Sequence, residues 1–357
     1  MRILLVRLRE IGDVVFTTPA VRAIRHRYPH AHITYLVEPA AAPVVANNPH
    51  LDEVIVAPRQ GGLAGWRGEI ALARRLRREH FDMAIDFHGG PRASLLTWLS
   101  GAPVRVGYEI VGRGWMYTTR VPRPRALRRR HSVENQWDLL TALGIPPPSP
   151  EADPVEMPVD TDAAARVARR LARSGIGPDH ALVVIHVSAG NPFRRWPLSS
   201  FASVAAALAS ADPARRVIVT SGPSEQEAAT RVIEDAAAQT SPEARPRILP
   251  SGDFSLTELR ALVERAALYI GGDSGPAHVA ATSGVPMVTL YGPTLPERSA
   301  PWRGTIHLAE SVGTPGLPCR PCDQRVCEPG DFRCLTGIAP HRVVDAAERV
   351  LAAKQDR

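Results

Sequence analysis

Asp13 follows Gly12 shortly after the apolar run Ile3–Leu8, at the strand end where open α/β sheets present ligands. A carboxylate placed there can take a proton from a substrate hydroxyl, and the glycine lets the backbone approach a polar ligand. A Gly-Asp pair is common, however, and a turn or helix cap accounts for it when it is taken alone.

A second group, Gly271-Gly272-Asp273-Ser274-Gly275-Pro276-Ala277-His278, joins an apolar strand to the helix-like Val279–Thr282. Glycines and free amides in this order make an anion-binding nest, with Asp273 open to a ribose or sugar and Ser274 and Gly275 to phosphate oxygens. The segment has neither the spacing and lysine of a P-loop nor a GxGxxG pattern, which points away from an ATPase and from a nicotinamide enzyme. A structural turn is the plain alternative, and His278 reads as readily as a buried histidine as a ligand.

The third group, Ser188-Ala189-Gly190-Asn191-Pro192-Phe193-Arg194-Arg195-Trp196-Pro197, brings two guanidiniums into a glycine-containing loop, and arginine forks suit a diphosphate. Trp196 ahead of Pro197 at a helix entry reads as packing. Gly222-Pro223-Ser224-Glu225 repeats the theme of strand, glycine turn and helix, so Ser224 or Glu225 either meets a ribose or caps the helix. Cys319, Cys322, Cys327 and Cys334 form C-x2-C-x4-C-x6-C within sixteen residues of a Pro/Gly-rich stretch. Four thiolates can close a structural zinc or iron site; reduced thiols and disulfides are the other two readings, and none of the three involves catalysis.

These groups need a scaffold. Strands expected at Ile3–Leu8, Ile33–Val37, Val54–Ala57 and Met83–Phe87 alternate with helical patterns, which predicts a parallel α/β sheet. Thr18 followed by Pro19 predicts a helix running to about His26 and leaves Gly12 and Asp13 in a loop. The six prolines between Ile145 and Pro158 mark a linker, because proline propagates neither helix nor central strand. Beyond it the alternation restarts, with strands at Leu182–Val187, Val217–Ser221, Leu268–Gly271 and Met287–Tyr291. Helices are expected near Asp162–Arg173, Ser199–Ser210, Ser224–Ala238 and Leu256–Arg265. The expected division is a domain at 1–150, a second at 159–339 that includes a cysteine-rich loop at 315–336, and a C-terminal helix at 340–357.

The 357 residues are enough for two cores, and no apolar run approaches the roughly 18 residues of a membrane helix. The start MRILLVRL reads as a strand and not as a signal peptide, so a cytoplasmic protein is expected. The 43 Lys plus Arg exceed the 36 Asp plus Glu, a net charge of +7, and Lys354 is the single lysine. Such a surface attracts phosphates, carboxylates, nucleic acid or an anionic leaflet, and charge alone does not choose among them. No nucleic-acid-binding motif accompanies it. The stretch Arg123–Arg130 is either a solvated loop or an anionic docking patch.

In combination, RILLVRLREIGDVVFTTPAVRAIR, the loop before RRWP and GGDSGPAHVAATSGVPMVTLYGPT resemble the glycosyltransferase family 9 heptosyltransferases, over nearly the whole chain and in the same order. The resemblance implies a GT-B architecture, two Rossmann-like domains with parallel sheets facing across a cleft, the acceptor bound mainly by the N-terminal domain and the donor by the C-terminal one. It implies an inverting transfer of heptose from ADP-heptose to the anionic glycolipid of the lipopolysaccharide inner core, with Asp13 as the catalytic base and no metal needed for catalysis. Ser188, Arg194, Arg195, Ser224, Glu225, Asp273, Ser274, Gly275 and His278, with Gly12 beside the base, are the expected donor and phosphate contacts. The family usually has lysine where Arg194 stands. Related protein-modifying heptosyltransferases bind iron on a four-cysteine cluster, so the resemblance also admits structural zinc or iron here and a protein acceptor.

The expected enzyme is therefore a cytoplasmic glycosyltransferase, with peripheral contact to the inner membrane as a further expectation drawn from the basic N-terminal half. A family member using another nucleotide sugar, a nucleotide-sugar epimerase that turns over its donor without acceptor, and a non-catalytic sugar-binding protein are the rivals.

Overall fold

The computed structural model describes residues 1–57, 61–123, 130–249 and 252–355. The chain divides into two compact units, Met1–Pro158 and Val159–Arg357. Residues 124–129 of the arginine-rich stretch lie outside the described residues.

The first unit holds β1 (Arg2–Val6), β2 (His32–Val37), β3 (Glu53–Val56), β4 (Met83–Asp86), β5 (Val104–Glu109) and β6 (Thr119–Pro122). Its helices are α1 (Ile11–Val15), α2 (Thr18–Arg27), α3 (Ala42–Val45), α4 (Gly62–Arg78), α5 (Pro91–Leu99) and α6 (Ser132–Thr141). The strands are parallel, in the order β3-β2-β1-β4-β5-β6. Parallel strands covered on both faces read as unbroken apolar runs, and Ile3, Leu4, Leu5 and Val6 of β1 are all fully buried. Leu76 of α4 and Ala93 and Leu96 of α5 close one face over Leu4, Val6 and Ala84. Each such buried Leu or Val contributes about 1.5–3 kcal/mol.

The second unit repeats the plan with β7 (Ala181–His186), β8 (Arg215–Thr220), β9 (Ile248–Leu249), β10 (Leu268–Gly272), β11 (Met287–Tyr291) and β12 (Ala309–Gly313). Its helices are α7 (Thr161–Arg173), α8 (Leu198–Ala211), α9 (Gln226–Ala238), α10 (Leu256–Glu264), α11 (Gly275–Ala280), α12 (Pro296–Ser299), α13 (Arg333–Thr336) and α14 (Pro340–Gln355). The order β12-β11-β10-β7-β8-β9 is the first sheet's order in this unit's own numbering. The fold class is α/β, two doubly wound Rossmann-like domains.

Eight strands fall where apolar runs predict them. The other four, β5, β6, β9 and β12, carry no such run, and three of them are sheet edges. An edge strand has one neighbour and tolerates charge and proline, as in Thr119-Arg120-Val121-Pro122 and Ala309-Glu310-Ser311-Val312-Gly313.

Two local expectations need correction. Gly12 and Asp13 lie not in a loop but in the short helix α1, whose Val14 and Val15 are buried; an acidic residue in a first turn faces free amides, which favours the helix. Thr18 opens α2 without acting as its cap, since Thr17 holds the cap position and Thr18 Oγ1 donates to Val15 O at 2.8 Å. The proline-rich segment belongs to the first unit, where Val155 and Met157 are buried. The backbone N–H of Glu156 donates to Thr18 Oγ1 (2.9 Å), and its carboxylate pairs with Arg22 and accepts from Asn48 (3.0 Å). Helix α14 packs into the core of the second unit through Val343, Ala346, Ala347 and Val350, and Arg215 grips its Glu348 with two hydrogen bonds of 2.5 and 2.6 Å.

Candidate functional site

Doubly wound sheets bind ligands outside the carboxyl ends of their strands where the strand order reverses. The reversal falls between β1 and β4 in the first sheet and between β7 and β10 in the second. The loops that leave β1, β7 and β10 carry most of the residues singled out from the sequence, while Ser224 and Glu225 follow β8 and the four cysteines follow β12.

At the first reversal, Val6 of β1 lies beside Asp86 of β4. The next residue, Arg7, is buried and spans the gap: Nη1 donates to Phe87 O at 2.7 Å, Nε donates to Arg9 O at 3.1 Å, and Nη2 pairs with the Asp13 carboxylate. The Asp13 side chain stays 35% exposed, so one face is free for a substrate. Asp86 is fully buried, and burial raises its pKa. It accepts from Tyr117 (2.6 Å) and from the amides of His88 (2.8 Å) and Gly89 (2.9 Å). Those bonds hold the turn after β4, where Gly89 adopts φ +67°. His88 is set toward Asp13, Arg7 and Arg9; burial first, and then the two arginine charges, lower its pKa to about 4. Tyr35 and Thr17 close the floor with a 2.6 Å hydrogen bond between hydroxyls.

At the second reversal, four loops are tied into one band. Ser188, after β7, accepts from the amide of Gly222, after β8, at 2.9 Å. Arg195 pairs with Glu225 at 2.9 Å and donates to Ala189 O at 3.0 Å. Arg194 reaches Asp273, after β10, with Nη1 3.4 Å from Oδ2 and 3.2 Å from the backbone oxygen. Asp273 also accepts from Thr294, after β11, at 2.5 Å, and lies 3.4 Å from His278 Nε2. Burial alone would raise the pKa of Asp273, but His278, Arg194 and Thr294 outweigh it and hold the carboxyl at about 2. The buried Ser274 hydroxyl has no partner among the described residues, and Gly275 begins α11 beside it.

The protein comparisons bear on this arrangement. The model of Glycosyltransferase family 9 (heptosyltransferase) matches residues 70–331. The chain belongs to glycosyltransferase family 9. It is 28% identical over 306 residues to an Escherichia coli protein named lipopolysaccharide heptosyltransferase 3, covering 84% of this chain and 86% of that one. A solved structure of a glycosyl transferase family 9 protein from Veillonella parvula superposes with a TM-score of 0.86 at 27% identity, covering 99% of this chain and 97% of the other. The structure of the Escherichia coli heptosyltransferase WaaC with ADP shares the fold, with a TM-score of 0.69, 20% identity and coverage of 98% and 100%. These neighbours carry the GT-B fold, and the expected fold class stands.

In this family 9 glycosyltransferase the structure redistributes several of the expected contacts. Asp273 is 2% exposed, its Oδ2 held by Arg194 and Thr294 and its Oδ1 3.4 Å from His278 Nε2, so its side chain faces the surrounding loops and not solvent. Ser188 and Glu225 likewise join loops, while Ser224 is exposed and caps neither adjoining helix. Trp196 is packing: it is buried edge-on against Phe201, with centroids 4.9 Å apart.

The cysteine-bearing segment leans on this band. Gln324 Oε1 accepts from Arg194 Nε (2.8 Å) and Asn191 Nδ2 (2.9 Å), Arg320 Nη2 donates to Thr294 O (2.6 Å), and Phe332 meets Phe193 edge-on. Four thiols are a suitable donor set for zinc or iron, and Cys334 feels the other three. All four are unbridged, and among the described residues no three Cys, His, Asp or Glu side chains converge as metal ligands.

Arg7, His88, Asp86 and Gln324 escape sequence reasoning. His88-Gly89-Gly90-Pro91 has the strand-end glycine and helix-start proline that flag the other loops, and that signal marks it. Beyond Gly89, whose carbonyl accepts from Arg113 at 3.4 Å, lies a recess of about 470 Å³ lined by Arg113, Trp115, Arg120 and Arg123. Chemically, the first unit offers a half-exposed carboxylate beside fixed cations, and the second a buried hydroxyl and two guanidiniums suited to a diphosphate.

Proposed function

We propose that the chain transfers heptose from ADP-heptose to the anionic inner core of lipopolysaccharide, with inversion at the anomeric carbon. The observation that carries this reading is Asp13, half exposed at the strand reversal of the first sheet and oriented there by buried Arg7. The names of the relatives and the ADP held by WaaC support the choice of sugar and nucleotide.

In the proposed step the acceptor oxygen bonds to the anomeric carbon as its proton passes to Asp13, and the bond from that carbon to the diphosphate oxygen breaks with its electron pair leaving on ADP. Ser274, the Gly275 amide, Arg194 and Arg195 receive the charge that grows on the diphosphate. Arg194 uses Nε and Nη1 on Gln324 and Asp273, and a guanidinium with five N–H donors retains others for phosphate. The recess lined by Arg113, Arg120 and Arg123, with Trp115 for a sugar ring, is assigned to the acidic acceptor. Since that acceptor is a glycolipid, the enzyme works at a membrane surface.

The test is calorimetric titration of the purified protein with ADP, GDP and UDP, followed by turnover of ADP-heptose with a Kdo-terminated lipid acceptor. Selective ADP binding and acceptor-dependent ADP release are expected. Preference for another nucleotide would overturn the donor assignment, and conversion of the donor without acceptor would replace transfer by epimerisation.

A further inference from the structure

Helix α4 turns apolar side chains to water. Leu63 is 83% exposed, Trp66 73%, and Ile70 is exposed with them. At 3.6 residues per turn these three share one face with Arg67 and Arg74, while Gly65, Leu72 and Leu76 face the opposite way, toward the sheet. The helix carries five arginines, Arg67, Arg74, Arg75, Arg77 and Arg78, against the single acid Glu69. Arg67, Arg74 and Arg78 form no ion pair among the described residues. Neighbouring α5, packed against α4, exposes Leu95 and Trp98, and Trp98 meets the exposed Trp115 edge-on at 5.5 Å. Both helices return from parallel crossovers in the same direction across the sheet, so they cover the same face.

An apolar strip of this kind marks a surface that is covered in use. Its arginines select among occupants. A second copy in a twofold contact would set five arginines against five, which repels. A lipid surface with acidic headgroups satisfies both halves at once: tryptophan and aliphatic side chains enter the headgroup boundary and arginines meet phosphates.

We propose that the outer face of α4, through Leu63, Trp66 and Ile70 flanked by Arg67, Arg74 and Arg78, docks the first unit on an anionic phospholipid bilayer. Helix α4 begins beyond the carboxyl end of β3, the same sheet edge that carries Asp13. Docking there brings that edge to the depth at which the sugars of a membrane-anchored glycolipid lie. The purpose of the surface rests on the glycolipid reading above, but its existence is testable without donor or acceptor.

The full chain is floated with phosphatidylcholine vesicles and with vesicles rich in phosphatidylglycerol. Binding to the anionic vesicles alone is expected, weakening as salt rises. The triple variant L63S/W66S/I70S loses about ten-fold or more of the bound fraction, and R67Q/R74Q/R78Q loses the salt-sensitive part. Turnover of a lipid-free acceptor by either variant stays within about two-fold, because neither touches the chemistry. Should the triple variant unfold, nitroxide-lipid quenching of wild type against Trp66→Phe replaces it, with quenching expected to fall in the variant. Equal flotation of wild type and the triple variant, or no flotation on anionic vesicles, overturns the proposal; so does a wild-type dimer that the triple variant converts to monomer. Vesicle binding without any transferase turnover would instead count against the catalytic reading alone.

Discussion

Asp13 and Asp273 sit beyond strands that border the two reversals, and each faces an arginine, Arg7 from the end of Asp13's own strand and Arg194 from the loop after the strand beside Asp273's, yet their surroundings differ. Asp13 shares one guanidinium and leaves a third of its side chain open. Asp273 is closed off by Arg194, Thr294 and His278 and held at about 2. A carboxylate with an open face and neutral His88 nearby can accept a proton from an incoming hydroxyl. One buried among three partners can only shape the loop around it. The same residue type after similar strands is therefore open to a substrate in one unit and enclosed by protein in the other, and the proposed roles follow that difference in exposure.

The sharpest way to break this contrast is Asp13→Asn, which is expected to lower kcat by about 100- to 10,000-fold while calorimetry shows ADP affinity unchanged. Asp273→Asn is expected to act on the fold: about 3 kcal/mol less stable in denaturant unfolding, with weaker ADP binding as a consequence. If Asp273→Asn instead keeps stability and loses kcat alone, the assigned roles are reversed.

The titration of His186 is a further probe of the second unit. This histidine is fully buried on β7, and burial lowers its pKa to about 4 from 6.5. Below pH 6.5 the unfolded chain takes up a proton that the native chain refuses, so stability is complete above pH 6.5 and declines toward pH 4 by up to ~3 kcal/mol. Thermal unfolding across that window shows the decline, and His186→Gln makes it shallower, leaving the share of His88, whose pKa is likewise lowered to about 4. The smallest expected effect is that of Gln324→Ala: about three- to ten-fold weaker ADP binding, through a looser Arg194, with the unfolding midpoint almost unmoved.

The centre of each sheet was legible because a strand covered on both faces must be mostly apolar, as Leu182–Ile185 is throughout and Met287–Tyr291 is apart from Thr289. Edge strands such as Thr119–Pro122 are half solvated and leave no such trace. The strand-end positions of Asp13 and of the glycine-rich loop after β10 were legible from glycine and acid following apolar runs. Their neighbours were not, because Arg7 and Phe87 are 80 positions apart and Arg194 and Gln324 are 130 apart. Only strand order brings such pairs together. Burial of Asp273 was hidden for a related reason, since Thr294 and Arg194 come from two other loops.

The anchoring of Glu156 has a kinetic consequence. Glu156 is tied to Thr18, Arg22 and Asn48 of the first unit, and Asp160 already caps α7 of the second by accepting from Ala163 N at 2.7 Å. Met157, Pro158 and Val159 are all the chain between them. If donor and acceptor ride on separate units as proposed, a joint of three residues makes their meeting a first-order event, at an effective concentration on the order of millimolar. Lengthening that joint with glycines dilutes one bound substrate with respect to the other while leaving each binding site as it was.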